Sequence, residues 1–187
     1  TLPREINYRN GKLIQQPVRE IENYRGEYVH YENVEISDET VLNGVDGRVL
    51  DMTVKLKVTD AFKKFTIKLA ADETYDSTIT YDPVTRTISA MLSNGKPADP
   101  NQINFAYIAH YGSNQATIED GSWEYTPEVI GEVTLRILMD RFSVEIFIND
   151  GSQTATMVLF TPQEADNISF AADGKAQISV DKYALTF

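Results

Sequence analysis

Apolar and polar positions alternate most strictly over residues 133–160, VTLRILMDRFSVEIFINDGSQTATMVLF. With Asp140-Arg141 as a two-residue turn, Met139 falls opposite Phe142, Ile137 opposite Val144, Leu135 opposite Ile146 and Val133 opposite Ile148. One face is then apolar throughout. The other sets Leu138 against Ser143, Arg136 against Glu145 and Thr134 against Phe147. A one-residue slip would mix the faces, so the pattern itself opposes it. Asp150-Gly151 next predicts a type I′ turn, whose two central residues need positive φ. That turn brings Ile146 opposite Ala155, Val144 opposite Met157 and Phe142 opposite Leu159. A sheet with one apolar face needs a second layer to bury it. The meander is therefore read as the central sheet of a sandwich.

Similar alternation runs through most of the chain. Residues 1–12 read as an extended lead-in with a turn at Asn10-Gly11. Pro17 suits the first position of a helix, and Val18, Ile21 and Tyr24 recur at helical spacing before Gly26. A short helix of two to three turns is expected there. From Glu27 onward strands dominate: Val29 to Ile36, Leu50 to Val58, Phe65 to Leu69, Ile79 to Tyr81, Ile88 to Leu92, Ile103 to Tyr107 and Ser122 to Tyr125. After the meander come Ile168 and Phe170, a turn at Ala172-Asp173-Gly174, and strands ending at Phe187. Many short strands with turns between them predict an all-β, two-layer antiparallel sandwich of jelly-roll or concanavalin-like kind, with one short N-terminal helix. Residues 1–26 are read as a linker segment and 27–187 as the sandwich domain.

Composition narrows the function. The 187 residues suit one sizeable domain. A net charge of −11 argues against nucleic acid or an anionic membrane as partner. The absence of cysteine excludes disulfides, thiolate metal sites and a cysteine nucleophile. No run of about 18 apolar residues is present, and no signal peptide is visible. A start at Thr1 rather than Met suggests a piece of a longer chain, so the compartment stays open.

Two stretches resemble a known family. TLPREI at 1–6 with KLIQQPVREIENYRG at 12–26 is similar to the segment joining the two domains of glycoside hydrolase family 32. LRILMDRFSVEIFINDG at 135–151 resembles the signature strand pair of its C-terminal domain. The family holds invertases, levanases, inulinases and sucrose-6-phosphate hydrolases. The resemblance implies a catalytic five-bladed propeller followed by a sandwich of two six-stranded sheets, with this chain as the sandwich. It further implies the propeller of the same polypeptide as partner, a fructan or sucrose as ligand, a homo-oligomer as an option, and no cofactor. The propeller's catalytic motifs are absent here, and the aspartate-arginine pair often found in the sandwich is replaced by ISAMLSNGK at 88–96.

Within the chain, Glu145 is the acid that lies in the signature, and a cross-strand ion pair with Arg136 explains it most simply, worth about 0.2–1 kcal/mol. Asp140 and Asp150 read as turn formers. His30 and His110 lack a metal-ligand spacing. Trp123, Tyr125, Tyr107, His110 and Tyr111 form an aromatic group suited to sugar faces; core packing explains the same rings without a ligand. The chain is thus either an accessory domain without hydrolase activity or a lectin-like fructan-binding module. Leu138 and Phe147 fall on the polar face of the meander, where another domain or a local loop would cover them. Arg4, Glu5, Arg19 and Glu20 are placed to form ion pairs near the lead-in, or to face water.

Overall fold

The computed structural model describes residues 2–91, 118–119, 122–125 and 131–187. A hairpin of β1 (Arg4–Arg9) and β2 (Lys12–Pro17) leads into a 3₁₀ helix, Arg19–Tyr24. Then follow β3 (Arg25–Ile36), β4 (Leu50–Lys57), β5 (Phe62–Ala71), β6 (Ser77–Asp82) and β7 (Thr87–Met91). After these come β8 (Ile118–Glu119), β9 (Ser122–Tyr125), β10 (Glu132–Asp140), β11 (Ser143–Ile148) and β12 (Gln153–Val158). β13 (Asn167–Gly174) and β14 (Ala176–Leu185) close the chain. Among the described residues there are two six-stranded sheets, ordered β12-β11-β10-β4-β14-β3 and β13-β5-β6-β7-β9-β8. Every pairing is antiparallel. Their apolar faces meet in one core, with Met52, Val54, Ile137 and Ile146 from the first sheet against Phe65, Ile67, Ile79 and Phe170 from the second. This is the all-β, two-layer antiparallel sandwich that the alternation predicts.

The meander β10-β11-β12 is one half of the first sheet, not a sheet of its own, because β10 pairs with β4 on its other side. Its second hairpin has the expected register, with Ile146 opposite Ala155 and Val144 opposite Met157. Asp150 and Gly151 take φ of 61° and 79°. The first hairpin differs. Asp140 pairs with Ser143 and Met139 with Val144, so the turn is Arg141-Phe142. The pairing is displaced by two residues from the predicted one. A two-residue slip returns every side chain to its own face, so the apolar pattern cannot distinguish the two registers. Arg48 resolves the choice by donating to the Arg141 carbonyl. Phe142 consequently sits in the turn and is exposed instead of joining the core.

Three further segments depart from the sequence reading. The lead-in turns at Asn10-Gly11 as expected, but its two arms pair as a hairpin, with Arg4 opposite Pro17 and Arg9 opposite Lys12. The helix is 3₁₀ and starts at Arg19, while Pro17 ends β2. Val18 stays extended, at φ −55° and ψ 137°, and its N–H donates to the Pro3 carbonyl at 3.2 Å. That bond closes the mouth of the hairpin and leaves too little chain before β3 for an α-helix. Finally, β13 runs on to Gly174 instead of turning at Ala172. Gly174, at φ 111°, carries the chain from the second sheet to the first, and a Cβ there would lie 2.3 Å from the Ala61 carbonyl oxygen.

Candidate functional site

The outward positions of the first sheet hold its chemistry. Asp51 of β4 and Glu145 of β11 both face out, flanking Leu138 of the intervening β10. On a bare sheet both would meet water. Here they are 1% and 2% exposed. Glu145 Oε2 accepts from Arg4 Nε and Nη2 at 3.1 and 2.9 Å, and Oε1 accepts the Leu2 N–H at 2.7 Å. The remaining Arg4 donors reach Gln15 Oε1 at 3.0 Å, Thr154 Oγ1 at 2.9 Å and Thr156 Oγ1 at 3.0 Å. All five guanidinium N–H groups are thereby used. Arg4 also lies over the Phe147 ring, 5.4 Å from its centre.

Asp51 is held by two arginines. Arg25 donates Nε and Nη2 to Oδ2 at 3.0 and 2.7 Å. Arg136 donates to Oδ1 at 2.9 Å and to Oδ2 at 2.7 Å. Arg25 stacks over Tyr183 at 4.3 Å, and Glu22 of the 3₁₀ helix lies 3.5 Å from Arg25 and 3.7 Å from Arg136. The predicted Arg136–Glu145 pair does not form. The displaced register puts Arg136 opposite Phe147 and Glu145 opposite Leu138, and each charge takes a different partner.

Apolar groups seal the same face. Leu138 and Phe147 pack with Ile21 of the 3₁₀ helix and Leu185, and Leu2 and Val49 lean on them. The cover over these residues is therefore the chain's own N-terminal segment. Hairpin and sheet also meet where the Gln15 N–H donates to the Gly151 carbonyl at 2.9 Å. A Cβ on Gly151 would come within 1.7 Å of the Gln15 carbonyl oxygen, so only glycine fits that contact. Beneath Pro17 a cavity of about 130 Å³ is lined by Thr53, Thr134 and Arg136. That is well below the roughly 300 Å³ at which ligand pockets begin. Elsewhere Arg48, itself buried, bonds the Thr161 hydroxyl at 2.6 Å and the Pro162 and Ala165 carbonyls at 3.0 and 2.9 Å. It fastens the segment after β12 to the turn at Arg141.

On edge strand β3 the Tyr28 hydroxyl donates to Asp181 Oδ1 at 2.5 Å, and His30 Nδ1 lies 2.8 Å from the same oxygen. The bond to this carboxylate pushes the Tyr28 phenol up to about 12. Glu5 and Arg19 form an ion pair, and Arg4 bonds into the sheet as described. Of the aromatic sugar-site residues, Tyr107, His110 and Tyr111 lie outside the described residues. Trp123 and Tyr125 lie on β9, opposite Ala90 and Ile88 of β7. The clamp of Asp51 by Arg25 went unread in the sequence, and Arg4 was read only as a candidate for an ion pair near the lead-in, not as the partner of Glu145. The available signal was Leu138 and Phe147: apolar residues at outward positions imply a covered face, and acids on a covered face need cations.

The two six-stranded antiparallel sheets, clamped by the N-terminal hairpin, make the chain a β-sandwich domain by architecture. The sequence matches the family described as "Glycosyl hydrolases family 32 C terminal" over residues 20–185, and the chain belongs to that family. It is 26% identical over 186 residues to a levanase of Bacillus subtilis (strain 168), covering 95% of this chain and 26% of the levanase. It is 28% identical over 192 residues to a raffinose invertase of Escherichia coli, covering 94% of this chain and 32% of the invertase. The chain thus spans about a quarter to a third of these relatives. Its fold matches the crystal structure of exo-inulinase from Aspergillus awamori with a TM-score of 0.74 at 18% identity, over 100% of this chain and 35% of that one. It matches fructan 1-exohydrolase IIa from Cichorium intybus with a TM-score of 0.72 at 18% identity, over 100% and 41%.

Two outcomes follow from the clamps. Arg4→Ala leaves Glu145 buried and uncompensated, a loss of about 3–5 kcal/mol in urea unfolding. Adding Glu145→Gln recovers part of it, because the buried charge is gone. The second concerns Glu5, whose carboxyl is held down at about 2, chiefly by the hydrogen bond from the Arg19 side chain. A carboxylate depressed in the folded state stabilises the fold above its unfolded value, about 4.3, and that contribution is lost as pH falls toward 2. A ¹³C NMR titration of Glu5 should show the depressed midpoint, and Arg19→Ala should return it to about 4.3.

Proposed function

We propose that this chain is the non-catalytic C-terminal sandwich of a fructoside-cleaving glycoside hydrolase, buttressing a catalytic propeller in the same polypeptide. Residues 1–26 serve as the linker segment and 27–187 as the sandwich. The observation that carries the reading is the family match over 20–185, taken with the state of the buried acids. Retaining glycoside hydrolysis needs two carboxyl groups about 5–5.5 Å apart, one of them able to carry a proton. Glu145 and Asp51 stand on either side of Leu138, and arginines saturate both. Their hydrogen bonds give both a structural role. The relatives named levanase, raffinose invertase and sucrose-6-phosphate hydrolase point to sucrose or a fructan as the substrate of the longer polypeptide. Trp123, Tyr125, Tyr107, His110 and Tyr111 stay the candidates for any contribution to sugar recognition.

The purified 187-residue chain should release no fructose from sucrose, levan or inulin, whereas the polypeptide that carries it should. Hydrolysis by the isolated chain would overturn the reading.

A further inference from the structure

The hairpin β1–β2 is bound at its root, while one of its faces is exposed toward the tip. Its register places Arg4, Ile6 and Tyr8 on one face with Pro17, Gln15 and Leu13. At the root, Arg4 and Gln15 grip Glu145, Thr154 and Gly151. Toward the tip the same face turns apolar, yet Ile6, Tyr8 and Leu13 are 64%, 74% and 37% exposed. An isolated two-stranded hairpin is marginal in water, and its outer strand β1 has one unpaired edge. Apolar side chains clustered on such an element mark a contact surface.

We infer that Ile6, Tyr8 and Leu13 are the seat of the domain that precedes this sandwich in its polypeptide; the inference rests on the function proposed above. The family occupies the C-terminal part of its proteins, and the matched relatives continue for two thirds of their length or more beyond it. The Leu2 N–H is pinned to Glu145 at the hairpin root, so a preceding domain leaves the sandwich beside this element. From Leu2 to Tyr8 an extended chain covers only about 20 Å. A domain tethered that closely can reach the bare face without a flexible spacer, whereas a second copy would have to approach around it.

Hydrogen exchange on the longer polypeptide and on the 187-residue chain, side by side, tests this. Amides of residues 6–13 should exchange at least tenfold more slowly in the longer polypeptide. An Ile6→Asp, Leu13→Asp variant should abolish that difference while leaving the melting temperature of the 187-residue chain unchanged, since both side chains are exposed. Equal exchange in a longer polypeptide that hydrolyses fructosides overturns the inference and leaves the functional reading intact. Protection that appears in the 187-residue chain alone and grows with its concentration assigns the face to a second copy, and likewise overturns it.

Discussion

Everything outside the core turns on one ion pair taken out of water. Glu145 lies on the first sheet's outer face, one strand in from its β12 edge, at 2% exposure. A lone carboxylate there would cost several kcal/mol. Arg4 removes that penalty by a fork of two bonds to one oxygen, and its other donors satisfy Gln15, Thr154 and Thr156. Because Arg4 belongs to β1, the carboxylate is neutralised only when the N-terminal hairpin is docked. The hairpin, the tip of β11–β12 at Gly151 and the seal over Leu138 and Phe147 are thus coupled to one electrostatic requirement.

Asp51 repeats the device one strand beyond Leu138. Its two guanidiniums come from β3, at the far edge of the sheet, and from β10, so the clamp spans strands that are remote in sequence. Together the clamps convert what would be a solvent face into a second, thinner interior. This suits the support role proposed for the domain. The buried charges fix where the N-terminal hairpin sits, and with it where any preceding domain would leave the sandwich. Arg48 plays a comparable part at one end of the sheet, with carbonyls and a hydroxyl in place of a carboxylate. Burial lowers its pKa against the pull of Asp166 and Glu164.

The sandwich was legible in the sequence because its signal has period two, and period two is what a one-sided sheet demands. That signal specifies which face a residue takes, not which partner it meets. The hairpin at Asp140 shows the difference: Ile137 and Val144 are core residues in either register, yet they stand opposite other partners. Only the turn at Arg141-Phe142, fastened from Arg48, separates two alignments that bury the same side chains. The Asp150-Gly151 hairpin could be placed outright, since its residues carry the turn geometry themselves. The clamps were illegible for a different reason. Alternate polar positions ordinarily mean water, and Asp51 and Glu145 obey that alternation while being buried. Their burial is imposed by residues more than a hundred positions away in the case of Arg4, which no local pattern encodes.

Urea unfolding of a chain shortened to begin at Arg19 probes this coupling most directly. It keeps the 3₁₀ helix and both six-stranded sheets but removes Arg4. If the N-terminal hairpin supplies the charge that lets Glu145 stay buried, the shortened chain unfolds at a markedly lower urea concentration and binds an apolar dye at the uncovered Phe147. An unchanged midpoint with no dye binding would show that the outer face closes without the hairpin.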